Sequence, residues 1–215
     1  MTDFAAARTH MVDGQVRIAD VTDLRILAAL QDIERERFVP AEARQLAYVD
    51  FDLPVAPGRF LMKPRVLAKM LQAAAIASTD RVLDVGCASG YGAALLGRLA
   101  AQVTALEENP DLARAAREAL SGQKNVEVVS GRLVDGWTAA APYDVIVLEG
   151  ATEVAPDSLL RQLSEGGRLL CVLGGDPAAK AMLYLRSGDD IGGRPIFDAS
   201  IPLLPGFSKT PAFAF

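Results

Sequence analysis

The chain has 215 residues, 22 Lys and Arg against 27 Asp and Glu, and a formal charge of −5. That length suits one α/β domain with a sizeable core, and the acidic balance speaks against a nucleic-acid partner. Apolar residues make up 51%, yet charges recur too often for a membrane helix of about 18 residues. The early Asp3 in "MTDFAAARTHMVDG" argues against a cleaved secretory signal.

The chain has one histidine, His10, in a front segment that reads as polar and mobile, and two cysteines, Cys87 and Cys171. They give no metal-ligand spacing and no disulfide framework, leave little material for a Ser-His-Asp or Cys-His centre, and fit a reducing cytoplasm. Both cysteines fall in or beside apolar runs and read as small buried residues.

Residues 1–78 read as a helical front section of the same domain. In "VTDLRILAALQDI" two apolar sets, Leu24/Leu27/Ala28 and Ile26/Leu30/Ile33, make one broad helical face, with Thr22 or Asp23 as candidate N-cap. "PRVLAKMLQAAAIA" is a second helix opened by Pro64. Between them "LAYVDFDLPVAPGRFLMKP" is too long to be a mere linker.

Residues 79–215 form the core. "RVLDVG", "QVTALE", "VEVVSG", "YDVIVLEG" and "GRLLCVLGG" read as strands, short and continuously apolar as in a parallel sheet covered on both faces. "YGAALLGRLA", "NPDLARAAREAL" and "APDSLLRQLSEG" read as the intervening helices, the last ending at "EGG". The alternation implies a doubly wound sheet. "AMLYLRSG", "GRPIFDASIPLLPG" and "TPAFAF" follow without helices, so an antiparallel edge is expected.

The loop "VGCASGYG" carries glycines at Gly86, Gly90 and Gly92. A dinucleotide fingerprint starting from Gly90 fails at Leu95, so a pyrophosphate is not the expected ligand. Glu107, followed by Glu108, ends the next strand, where a carboxylate accepts both hydroxyls of a ribose. Asp84 reads as orienting the glycine loop through backbone N–H groups, and Asp144 as capping a strand start. Position alone puts Glu149 near the loop; a surface carboxylate is an equal reading.

The strand followed by Asp-x-Gly-x-x-x-Gly resembles motif I of S-adenosylmethionine-dependent methyltransferases. Over nearly its whole length the chain resembles the protein-L-isoaspartate O-methyltransferases. The resemblance rests on "MVDGQVR…VTDLRILAAL", "RFVP", "AYVDFDLPV", "VLDVGCASGY", "ALEE", "GRLVDGW…APYDVI" and "VAPDSLLRQLSEGGRLLCVLG". It implies a seven-stranded Rossmann-like methyltransferase sheet, mostly parallel with an antiparallel C-terminal edge. It also implies S-adenosyl-L-methionine as cofactor, methyl transfer to the carboxylate of isoaspartyl residues in damaged protein or peptide substrates, and no nucleic acid, membrane or metal. Asp84, Gly86, Cys87, Ala88 and Gly90 fall on the implied cofactor loop, Glu107 and Glu108 on the ribose acid, and Arg132, Leu133 and Glu149 on the remaining cofactor contacts.

Two stretches depart from the family pattern. Met62 stands where the family has its active-site serine and Phe60 where it has threonine, and Arg132 replaces an acid that contacts adenine. Neither Met nor Phe donates a conventional hydrogen bond. Lys63 or Arg59 then takes over orientation of the acceptor carboxylate, or both are ordinary loop charges. A second reading is that the branch has a different acceptor or binds the cofactor without turnover.

Overall fold

The computed structural model describes residues 3–175 and 178–209. The front segment is ordered helix: Asp3 caps α1 (Phe4–Met11) by accepting from the Ala6 N–H, and α1 runs into a π turn over Val12–Val16. Met11, Val12 and Val16 are buried while His10 stays exposed. This corrects the polar, mobile reading, because one apolar stripe at the C-terminal end of α1 anchors the whole segment. Asp23, rather than Thr22, caps α2 (Leu24–Asp32). The buried stripe of α2 is Ile26, Leu27, Ala29 and Leu30; Leu24, expected on that face, is 74% exposed, and Ala28 also faces solvent.

The Pro/Gly-rich stretch is a hairpin of β1 (Leu53–Ala56) and β2 (Arg59–Leu61), paired Leu53 to Leu61. Gly58, at φ 68°, sits in its tight turn. Pro64 occupies the first turn of α3 (Pro64–Ala74), as a residue without an N–H can.

The sheet contains β3 (Arg81–Val85), β4 (Gln102–Glu107), β5 (Val126–Ser130), β6 (Tyr143–Thr152), β7 (Leu163–Leu173), β8 (Lys180–Ser187) and β9 (Asp190–Asp198), ordered β5-β4-β3-β6-β7-β8-β9. Strands β3 to β7 are mutually parallel, and β8 and β9 add antiparallel. The period-2 alternation sorts the core. Val82, Val103, Val145 and Val147 face one layer, and Leu83, Leu106, Ile146 and Leu148 the other. The first layer is covered by α2, α3, α4 (Tyr91–Leu99) and α5 (Pro110–Ala119), the last opened by Asn109 and Pro110 as expected. The second is thinner, with the single-turn α6 (Asp157–Leu160), 3-10 turns and Leu204.

Two expected elements differ. The "APDSLLRQLSEG" helix stops at Leu160, and β7 starts at Leu163, with the Glu-Gly-Gly inside the strand as an irregularity. There a Cβ on Gly167 would lie 2.8 Å from the Ser164 carbonyl oxygen, so glycine permits the strand to begin early. The "GRPIFDASIPLLPG" strand ends at Asp198, leaving one bridge between Leu203 and Ala151; "TPAFAF" lies outside the described residues. Asp144 accepts from the Arg81 N–H and the Ser164 hydroxyl, tying together the starts of β3 and β7. Among the described residues, no helix is long and apolar enough to cross a membrane.

Candidate active site

The chain leaves β3 toward β4 on one side and β6 toward β7 on the other. The carboxyl ends of β3 and β6 therefore flank a crevice, the switch point where open α/β sheets take ligands. Over it lies the loop from Gly86 to Gly90. Gly86 (φ 80°), Ala88 (φ 50°) and Gly90 (φ 97°) all adopt left-handed backbone, which costs Ala88 strain the glycines escape. The Gly86 and Cys87 N–H groups both donate to the Leu106 carbonyl, at 2.9 and 3.2 Å.

Glu107, at the end of β4, is fully buried and its carboxylate is saturated. Oε1 accepts from the Glu108 and Asn109 N–H groups at 3.0 and 2.9 Å; Oε2 accepts from the Ala88 N–H at 2.8 Å and from Arg59 Nη2 at 2.7 Å. The same Nη2 donates to the Gly86 carbonyl at 2.9 Å, while Arg59 Nε has no partner. Arg59 on β2 thus reaches across the hairpin into the crevice, and its side chain is 5% exposed. Leu204 closes in from the other side: a Cβ on Gly86 would lie 2.9 Å from Leu204 Cδ2 and 3.2 Å from Arg59 Nη2.

Orientation of the loop therefore falls to Glu107, not to Asp84. The register pairs Asp84 with Val147, and two residues further on β6 places Glu149 on the same face beside it. Both side chains are buried, and the two carboxyls hydrogen-bond each other through a shared proton, with no further partner. Glu149 is no surface carboxylate: it lies against the first turn of α4, where a Cβ on Gly92 would collide with Oε1. Burial, then the neighbouring Asp84 charge, pushes the Glu149 carboxyl well above its ordinary range. Burial and the Glu107 charge raise Asp84 as well. The pair retains a proton near neutral pH.

A narrow cleft, with about 10 Å³ of free space, room for about one water, lies beside the crevice, between the hairpin and residues 201–204. Its walls include Asp52, Arg59, Phe60, Met62, Glu149 and Leu204. Lys63 does not line it. Its Nζ pairs with Asp52 Oδ2 at 3.3 Å, and its backbone N–H donates to Asp52 Oδ1 at 2.9 Å. Arg132 points away, paired with Asp135 at 3.4 Å and exposed, while the Leu133 N–H donates to Glu108 Oε2 at 3.3 Å. Desolvation, and then the charges of Asp84, Glu107 and Glu149, raise the buried Cys87 thiol well above its ordinary range.

The sequence reading missed Arg35. Fully buried, it donates from Nε to the Ala47 carbonyl at 2.7 Å and from Nη2 to the Met62 carbonyl at 2.8 Å, and stacks 4.6 Å from the Tyr91 ring centre. Four charges in the run "ERER" look like a solvated face, and nothing local distinguishes the one that turns inward. Leu204 was equally hidden, in a tail that reads as strand.

A switch-point crevice with a glycine loop and a buried acid at the end of the second sheet strand defines an α/β protein of the Rossmann-like methyltransferase fold class. The profile of the protein-L-isoaspartate(D-aspartate) O-methyltransferase family matches residues 7–192. The chain belongs to that family. It is 42% identical over 188 residues to the protein-L-isoaspartate O-methyltransferase of Koribacter versatilis, covering 86% of this chain and 84% of the relative. It is 43% identical over 169 residues to that of Methanoculleus marisnigri, covering 78% and 77%. A solved protein-L-isoaspartate O-methyltransferase superposes with TM-score 0.81 at 23% identity, over 93% of this chain and 66% of that one. A Plasmodium falciparum structure described as a member of the same family, in complex with S-adenosyl-L-homocysteine, gives TM-score 0.75 at 17% identity, over 95% and 99%.

Proposed function

We propose that the protein is an S-adenosyl-L-methionine-dependent methyltransferase acting on the carboxylate of isoaspartyl residues in damaged proteins. Its family membership supports the reaction class, and one observation carries the cofactor: the buried Glu107 carboxylate, tied to the Ala88 N–H of the glycine loop at the switch point. The donor and acceptor set fits that group. Arg59 Nη2 donates to Glu107 Oε2 as a ribose hydroxyl would, so the guanidinium is a stand-in that the sugar displaces. Leu204, the other side chain over Gly86, ends in movable methyl groups.

When bound, the cofactor supplies a sulfonium methyl already activated for transfer. Glu107 would hold the ribose, and the Gly86–Gly90 loop would line its site. The acceptor carboxylate is ionised at neutral pH, so no general base is needed. What remains is positioning and exclusion of water. Phe60, Met62 and Leu204 make the cleft apolar. Once off Glu107, Arg59 is the cation in the cleft wall able to orient the acceptor, a role for which Lys63, held by Asp52, is worse placed. In this reading the front section and hairpin form the substrate side, and Arg132 takes no part in holding adenine. Two buried, free cysteines accord with a cytoplasmic setting.

The test is transfer of labelled methyl to an isoaspartyl peptide and not to its aspartyl twin; transfer to neither overturns the reading. Met62 and Phe60, lining the cleft without a hydroxyl, favour one second reading, a family member with a different acceptor. That protein binds the cofactor and ignores the peptide.

A further inference from the structure

Arg59 is the cation among the described residues that line the cleft. In this conformation it is fully engaged. Both hydrogens of Nη2 are used, one on Glu107 Oε2 at 2.7 Å and one on the Gly86 carbonyl at 2.9 Å, while the buried Nε has no partner. The cleft beside it has about 10 Å³ of free space, too little for a carboxylate group. An acceptor therefore finds neither room nor an available charge. Glu107 can nevertheless let the guanidinium go. Three backbone N–H groups stay on its carboxylate, and a ribose hydroxyl would donate in place of Nη2.

We propose that Arg59 exchanges one carboxylate for another: that of Glu107 when the cofactor is absent, and that of the acceptor when the cofactor is bound. The proposal rests on the functional reading above and deepens it, making the displaced side chain a link between the two ligands. A guanidinium moved off Glu107 is a buried charge without its partner, which is costly until an anion completes it. Asp84 and Glu149, the other carboxyls facing it, share a proton with each other and draw it less than an open carboxylate does. The acceptor carboxylate can take Nη2 and the orphaned Nε together, the two-pronged geometry that a guanidinium favours. Cofactor binding thus prepares the acceptor site. By reciprocity, the acceptor tightens the cofactor by the same factor.

The reaction then undoes the link. One acceptor oxygen bonds to the methyl carbon as the carbon–sulfur bond breaks, its electron pair going to sulfur. A carboxylate and a sulfonium become an ester and a thioether, both neutral, and no proton moves. An ester holds a guanidinium more weakly than a carboxylate does. Arg59 is released to compete for Glu107 again, so the side chain that gathers the two substrates also helps to expel the two products.

The experiment is calorimetric titration of two peptides into protein with and without saturating S-adenosyl-L-homocysteine. One peptide is isoaspartyl; in the other the acceptor carboxylate is replaced by a neutral carboxamide. Wild-type protein binds the isoaspartyl peptide about tenfold tighter or more once the homocysteine ligand is bound, and the carboxamide peptide gains less than about threefold. Arg59→Met binds the isoaspartyl peptide weakly, with affinities in the two states that agree within about threefold. Equal wild-type affinity in the two states, an equal gain for the two peptides, or a gain that survives in Arg59→Met overturns the exchange and leaves the functional reading in place. If Arg59→Met does not fold, the two peptides on wild-type protein decide alone. Wild-type protein that takes the homocysteine ligand but neither peptide sinks both the exchange and the functional reading.

Discussion

Replacing Arg59 by Met removes the guanidinium while keeping most of the apolar stem that crosses the crevice. Two charge-assisted hydrogen bonds go with it, to Glu107 Oε2 at 2.7 Å and to the Gly86 carbonyl at 2.9 Å. With side chains 5% and 0% exposed, the pair escapes solvent screening. Losing one partner of a buried pair costs about 3–5 kcal/mol. Glu107 keeps three backbone N–H donors, from Ala88, Glu108 and Asn109, so the lower end, about 3 kcal/mol, is expected. In the proposed binding mode, S-adenosyl-L-homocysteine has to break the same contact in the wild type in order to bind. In the variant it does not, and part of the lost stability returns as affinity, about tenfold to a hundredfold tighter. Urea unfolding with and without the ligand, together with calorimetry, reads both quantities. A variant as stable as wild type, or one that binds the ligand more weakly, refutes the argument; the second outcome would make Arg59 a ligand-holding group rather than a competitor.

Glu107→Ala strands the Ala88, Glu108 and Asn109 N–H groups and the Arg59 guanidinium, and weakens binding of the homocysteine ligand by about 1–3 kcal/mol, measurable by calorimetry. The raised Asp84 and Glu149 carboxyls imply that the folded protein holds protons the unfolded chain has released. Their contribution to stability is thus full below the ordinary carboxyl range and is lost as pH rises through the raised folded values. Urea midpoints against pH should show this fall, and Glu149→Gln should lessen it. Burial pushes the Cys171 thiol up to about 12, and Cys87 well above its ordinary value. Neither thiol should react with a disulfide reagent at neutral pH until the protein is unfolded. Leu204→Ala, at a 3% exposed position over the crevice, should cost about 2–4 kcal/mol in urea unfolding.

The five parallel strands were legible because a strand covered on both faces has to be apolar at nearly every position, and charges bracket each run. The glycine loop and Glu107 were legible as well, since left-handed turns and an acid at a strand end leave a local signature. Less visible was everything that depends on distant partners. "SLLRQLSEG" carries a helical period, but Gln162 hydrogen-bonds back to the Asp135 and Ser158 carbonyls and the chain turns into β7. Asp84 is apolar-flanked like any strand residue, and only the register with β6 reveals that it faces Glu149 rather than the loop. Arg59 read as loop charge or acceptor cation, and its grip on Glu107 required the hairpin to be folded over the sheet.

Arg35 holds the carbonyls of Ala47 and Met62, one at either end of the segment that carries the hairpin. A single guanidinium thus works like a removable staple, closing that strap in much the way a covalent cross-link closes a loop. Cut by a protease at the exposed Pro57–Gly58 tip, the two fragments should stay together and co-elute.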